Sequence, residues 1–477
     1  MRIVYLDLDC MRPDHFGSHG YHRQTTPNLD RLVHQGVRFT RCYCSDSPCV
    51  PSRAALFSGR FGVHNGVATH WGPGSQFRYR DDIPMLARHL YANGYNTVSF
   101  SSFADRHQAW WFAAGWRELH TFTLKRGGEN ADEVNAAVIP WLRNHAAEDD
   151  YFLHIHYWDP HRVYTMPVEW MQRFQDDPPP DWPDQAAIDE HQKTYGPFTA
   201  PELFPGRLEG SPAPTMPAQI ATVADWKHFV DGYDGAVAYM DDHIGQVLEA
   251  FERAGVLDDT AFIISGDHAE AMGEFGVYGD HVCASESVHN IPMVVRWPGV
   301  TPQDVACDDP VYNVDLPPTL CDLLGLTIPP GWDGRSFAPQ VRGQQGQPRD
   351  HVVWTHGLYS CQRVLRTDRW LLCRTYHPGL YPFEPLALYD MAADPRQTTD
   401  VSADNAEIVH ELDHLLAQWH QDNLGRHGAE PDPLQEVIHT GPWKYVRLAE
   451  WLQHLRQKGR DDAAREIEQR LGLAGDV

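Results

Sequence analysis

Ala261-Phe262-Ile263-Ile264-Ser265-Gly266-Asp267-His268 is an apolar run that ends on a carboxylate and an imidazole. A short unbroken apolar run of this kind reads as a strand covered on both faces, as the centre of a parallel sheet requires. Residues 3 to 8, Ile3-Val4-Tyr5-Leu6-Asp7-Leu8, repeat the logic and deliver Asp9 just past the strand end. In open sheets of this class ligands gather at the carboxyl ends of strands. Aspartate and imidazole are ordinary ligands of a divalent ion, so Asp9, Asp267 and His268 are expected to share one metal site. A third strand, Tyr151 to Tyr157, carries His154 and His156 at a spacing of two, hence on one side. It runs into Trp158-Asp159-Pro160-His161, which places His161 at a cleft.

The second stretch that organises the chain is Ser47-Pro48-Cys49-Val50-Pro51-Ser52-Arg53-Ala54-Ala55-Leu56-Phe57-Ser58-Gly59-Arg60. Two prolines stiffen the backbone around Cys49. Ser52 is placed to start a helix and Gly59 to close it. A cysteine at a helix N-terminus, with Arg53 four residues on, occupies an electropositive spot suited to a reactive group meeting an anion. A buried cysteine in a proline-rich turn fits the same residues.

The chain has 477 residues, enough for two or more domains. Its 39 basic and 65 acidic side chains give a net charge of −26, which argues against nucleic-acid and anionic-membrane partners. No run of eighteen apolar residues reads as a transmembrane span. The opening Met1-Arg2-Ile3-Val4-Tyr5-Leu6 reads as a strand rather than a signal sequence. Nine scattered cysteines read as free thiols in a reducing, cytoplasmic setting.

Further helices are expected from Thr26-Pro27, over residues 82–92 and over residues 221–254, and a strand over Tyr95–Phe100. Residues 171–220 are crowded with prolines and read as an irregular excursion that walls the cleft. A short helix is expected to end near Leu324-Gly325. His351 to Trp354, Ser360 to Arg366 and Arg369 to Thr375 read as a separate antiparallel sheet followed by a helix at 405–418. The tail offers Trp443, Val446, Leu448, Trp451 and Leu452 as an apolar stripe for the body or for a second subunit in a homo-oligomer. The division is a catalytic α/β domain over 1–345 with the insertion at about 171–220, a small sheet-and-helix domain over 346–430, and a helical tail over 431–477.

Cys49-Val50-Pro51-Ser52-Arg53, with Leu56 and Ser58-Gly59-Arg60, resembles the signature of the type I, formylglycine-dependent sulfatases of the alkaline-phosphatase-like superfamily. The resemblance covers roughly residues 3 to 420, apart from the insertion. It implies a mixed, mostly parallel sheet with helices on both faces and a small antiparallel C-terminal α+β domain. It also implies a formylglycine made from Cys49 by a formylglycine-generating enzyme, and one divalent ion, calcium above manganese or zinc. The activity implied is hydrolysis of a small sulfate ester. The ion falls to Asp9, Cys10, Cys49, Asp267 and His268, and the catalysis to Cys49, Arg53, His161 as acid for the leaving group, and His281. The chain departs from the family pattern in four places. Cys10 stands where a second aspartate is usual, and as a soft ligand would favour a transition metal. Ser101-Ser102-Phe103-Ala104 replaces Gly-Lys-Trp-His, with His107 nearby as a substitute. Phe275 replaces a histidine, and Asp280 a lysine. Losing lysines at Ser102 and Asp280 predicts a pocket poorer in positive charge, suited to a singly charged ester of a neutral or cationic alcohol, with Phe103, Trp158 and Trp170 against the leaving group. A phosphonate monoester or phosphodiester hydrolase with the same apparatus, and a non-catalytic homologue with unmodified Cys49, are the alternatives.

Overall fold

The computed structural model describes residues 1–473 except 124, 126, 204–213 and 427–429. Its main sheet has nine strands. Read across, they run Val305–Cys307, Val37–Tyr43, Asn290–Arg296, Thr260–Gly266, Arg2–Leu8, Tyr151–Tyr157, Asn96–Phe100 and Glu118–His120, with Val311–Tyr312 beside Val37–Tyr43. All pairings are parallel except the two made by Asn290–Arg296. The three apolar runs read from the sequence are the three central strands. Arg2–Leu8 lies between the other two, with Asp7 opposite both His156 and Ser265.

Strand parity sorts the side chains. Val4, Leu6, Leu153, Ile155, Phe262 and Ile264 enter one core, under the long helix Val223–Arg253. Ile3, Tyr5, Phe152, Ala261 and Ile263 enter the other, under the helix Cys49–Ser58. Because the period is two, Asp7 and His154 fall on the side of Cys49–Ser58, and His156 with them.

Several boundaries differ from expectation. The helix read over 82–92 begins at Leu86. Pro84 lacks an N–H and disfavours helical backbone at Ile83. The Cys49 helix starts at Cys49 itself, with Pro48 before it. Ser52 is therefore inside the first turn, where its hydroxyl donates to the Asp267 carbonyl at 2.5 Å. Gly59 closes the helix at φ 66, and a Cβ there would lie 2.5 Å from Trp332. The excursion over 171–220 contains the helix Gln185–His191, capped by Asp184; part of it lies outside the described residues.

The second sheet runs Leu386–Asp390, Trp370–His377, Cys361–Arg366, Val352–His356 and then Asp46–Ser47. Its last member comes from just before Cys49 and pairs parallel with Val352–His356. Both sheets thus hold the Cys49 helix. The helix Ala406–Arg426 covers this sheet. In the tail, Trp451, Leu452 and Leu455 pack with Tyr195 and Leu380, so the apolar stripe is covered within one chain.

Arg363 and Asp432 tie the tail to the second sheet through a buried ion pair of 2.7 Å, and Asp432 also caps the helix Pro433–Thr440. Burial pushes the Asp432 carboxyl up, but Arg363 and His420 more than reverse this and hold it well below the usual range. A depressed carboxylate stabilises the fold above its unfolded pKa of about 4, and the contribution is lost as pH falls below that. Asp432→Asn is therefore expected to destabilise by about 3–5 kcal/mol at pH 7, with the deficit shrinking in acid. Urea unfolding at pH 7 and at low pH checks both the size and the sign.

Candidate active site

The site is built around Arg53, which is fully buried. One turn of helix separates it from Cys49, so both face the strand ends. Its Nε and Nη2 donate to the two oxygens of Asp7 at 2.8 and 3.0 Å. Its Nη1 donates to Asp9 at 3.1 Å and to Asp267 at 2.6 Å. His156 Nε2 lies 2.8 Å from Nη2, and the Phe103 ring stacks on the guanidinium at 5.0 Å.

Asp9, Cys49, Asp267 and His268 each offer a ligand atom, and these atoms all lie within 4.8 Å of one another. Cys49 Sγ is 3.1 Å from His268 Nε2. Three buried carboxylates, Asp7, Asp9 and Asp267, face the single guanidinium of Arg53. Ionised, they leave two negative charges uncompensated, which suits a divalent cation. Burial raises Asp267, while for Asp9 the Arg53 and His156 contacts overcome burial and lower it. The donors present therefore fit a divalent ion.

Cys10 stands outside that group of four. Its backbone has φ 58, held by Tyr233, whose hydroxyl donates to the Cys10 carbonyl. Its thiol donates to Asp9 at 3.0 Å and its N–H to Asp267 at 3.3 Å. It clusters instead with His268 and His281, and with Asp9 and His161.

A cavity of about 560 Å³ is lined by His70, Arg106, His161, Arg162, Phe198, Asp280, His281 and Tyr359, and by tail residues including Lys444 and Tyr445. His281 packs against His268 at 4.3 Å, and its Nδ1 has no hydrogen-bond partner among the described residues. The same holds for Nε2 of His70, whose Nδ1 meets the Tyr445 hydroxyl at 2.6 Å. Burial and then Arg106 push His161 down to about 3. Burial, then Asp9 and Asp267, push the Cys49 thiol well up, so an unmodified Cys49 is not a ready thiolate.

The expected charge-poor pocket is corrected. Ser102 is engaged with Glu129 at 2.9 Å, and Asp280 faces Arg162 at 3.7 Å. Arg106, Arg162 and Lys444 supply positive charge from other positions. Arg106 sits one helical turn past Ser102, on Phe103–His107, and that offset was the only sign of it in the sequence. His70 follows the Cys49 motif with no pattern to mark it. The aromatic expectation changes too. Phe103 lies beneath Arg53, Trp158 beneath Arg106 at 4.9 Å, and Trp170 packs on Tyr239 at 5.3 Å, away from the cavity. His107 meets His70 edge-on at 4.8 Å and is not part of the lining.

A mostly parallel sheet with carboxylates and an imidazole at the ends of its central strands, and a small antiparallel sheet beside it, defines an alkaline-phosphatase-like hydrolase. The sulfatase family matches residues 2–326, and the chain belongs to it, a sulfuric ester hydrolase by class. The C-terminal region of N-sulphoglucosamine sulphohydrolase matches residues 273–422. An N-acetylglucosamine-6-O-sulfatase of Bacteroides thetaiotaomicron is 21% identical over 92% of this chain and 89% of its own. A choline-sulfatase of Rhizobium meliloti is 23% identical over 88% and 89%. The solved phosphonate monoester hydrolase of Agrobacterium radiobacter superposes with a TM-score of 0.72 at 21% identity, covering 89% of this chain and 96% of that one.

Arg53→Met leaves three buried carboxylates around no cation. The expected cost is about 3–5 kcal/mol, measured by urea unfolding at pH 7. A stability equal to wild type would show that the carboxylates do not depend on Arg53.

Proposed function

We propose that the protein hydrolyses sulfate monoesters through a formylglycine derived from Cys49, with one divalent cation held by Asp9, Asp267, His268 and the residue 49 side chain. The observation that carries this reading is the convergence of four donor atoms within 4.8 Å of one another on a helix N-terminus and two strand ends. Formylglycine supplies a hydrated aldehyde whose hydroxyl is the nucleophile toward sulfur. The cation supplies Lewis acidity toward the sulfate oxygens. The resemblance points to calcium, but one donor of the four is an imidazole, which moves our proposal to manganese or zinc.

The chain's own residues have separable tasks. Arg53 fixes Asp9 and Asp267 in place and favours the ionised form of each. Arg106, with the ring nitrogens of His70 and His281, meets the sulfate oxygens. His161 gives a proton to the leaving oxygen. A bound anionic ester raises its low proton affinity, so protonation is tied to substrate binding. We keep a reducing, cytoplasmic setting as a proposal; among the described residues no helix is long and apolar enough to cross a membrane.

The choline and N-acetylglucosamine esters named for two relatives differ in the charge of the alcohol. Arg106, Arg162 and Lys444 disfavour a cationic alcohol, which removes the cationic half of the expectation of a neutral or cationic alcohol drawn from Ser102 and Asp280.

Conversion of Cys49 lowers the intact mass by about 18 Da, and Cys49→Ala is expected to abolish turnover with the fold intact. Asp9→Asn is expected to lose bound metal and activity together, as read by metal analysis and steady-state rates. The discriminating experiment is kcat/KM for matched aryl sulfate, phosphonate monoester and phosphodiester on converted, metal-loaded enzyme. A preference of about tenfold or more for phosphonate, equivalent to 1.4 kcal/mol, overturns the sulfate reading in favour of the chemistry named for the Agrobacterium radiobacter structure.

A further inference from the structure

The two family matches end at residues 326 and 422. Beyond both, the tail supplies Lys444, Tyr445, Glu450 and Trp451 to the cavity that His161 and His281 line. This segment is firmly held. The Pro442 carbonyl accepts from the Tyr359 N–H at 2.9 Å. The Tyr445 ring meets Trp71 edge-on at 4.2 Å, and its hydroxyl reaches His70. His454 Nε2 lies 2.7 Å from a Glu202 oxygen. The same segment therefore builds the pocket wall and fixes the orientation of an imidazole at the reacting end.

The lining carries four arginine and lysine cations. Arg447 pairs with Glu450 at 2.8 Å, and Arg162 faces Asp280 at 3.7 Å. Arg106 and Lys444 are the other two cations of the lining. Arg106 belongs to the reacting end: its guanidinium lies over the Trp158 ring at 4.9 Å, and Trp158 meets His161 edge-on at 5.8 Å. Lys444 belongs to the tail. Its ammonium donates to Thr440 Oγ1 at 3.2 Å, and an ammonium has three donors. Phe198, Tyr359 and Tyr445 add ring faces, and a cavity of about 560 Å³ is of ligand size.

We infer that residues 441–457 form a leaving-group subsite in which Lys444 receives a second oxyanion, a carboxylate or a sulfate, carried on a ring-shaped alcohol. This rests on the sulfate ester reading. The reacting sulfate takes the Arg106 end, the ring lies against the tyrosines, and the second oxyanion takes Lys444. The tail thereby sets specificity without touching the reacting atoms.

The test compares phenyl sulfate with its 3-carboxy and 3-sulfooxy derivatives, using wild type and Lys444→Met. Wild type is expected to prefer a charged ring by about tenfold in kcat/KM, expressed in KM, as a single charge-assisted hydrogen bond provides. Lys444→Met is expected to lose about tenfold more on that charged ring than on the plain one. Whichever derivative is preferred identifies the oxyanion. A wild-type preference for the plain ring, or an equal loss on all three, overturns the subsite. A second readout is free of turnover: calorimetric binding of the alcohol products 3-hydroxybenzoate and 3-hydroxyphenyl sulfate to Cys49→Ala, with and without Lys444→Met. Weakened binding in the double variant with no sulfate hydrolysis by wild type keeps the subsite and removes the hydrolytic reading. Hydrolysis with binding indifferent to Lys444 removes the subsite alone.

Discussion

One guanidinium holds the centre of this molecule together. Arg53 bonds Asp7, Asp9 and Asp267, which come from the ends of adjacent strands, and its own helix carries Cys49. An unpaired charge in this dry setting is costly, so the helix is confined to the one placement that satisfies all four groups. The same arrangement leaves the carboxylates in excess. A divalent cation would answer both that excess and the proposed chemistry.

The central strands were legible because they are buried on both faces, and a run such as Ile3–Leu8 or Ala261–Ile264 has few other readings. Their order of use was legible too, since Asp9 and Asp267 end their strands alike. The helix start at Cys49 was hidden because Ser52, a good cap by type, is occupied by the Asp267 carbonyl. Nor did the sequence reveal the pocket's charge. Counting missing lysines at Ser102 and Asp280 assumed that charge stays at fixed positions in the chain. Electrostatics depends only on where the charge arrives in space, and Arg106, Arg162 and Lys444 arrive from a short helix, a loop and the tail.

The site therefore has two histories of construction. Groups close to Cys49 come from regular elements whose parity and register fix them. Groups farther out, such as Phe198 and Tyr445, come from the proline-rich excursion and from the turn between the helices Pro433–Thr440 and Leu448–Gln457. Loops and terminal segments vary more freely than the strands that carry them. Reaction type and substrate choice are thus carried by different parts of one chain.

Cys49 is 1% exposed and lies between two sheets, under a helix that its own backbone begins. Another protein working on that side chain cannot reach it once the sheets have closed. The oxidation we propose for it would have to happen while the segment Ser47–Arg60 is still extended, so that maturation and folding would compete for the same interval. A chain that folds first keeps its thiol and is locked in that state. The yield of active enzyme is then a matter of timing during synthesis, as much as of the supply of the modifying enzyme.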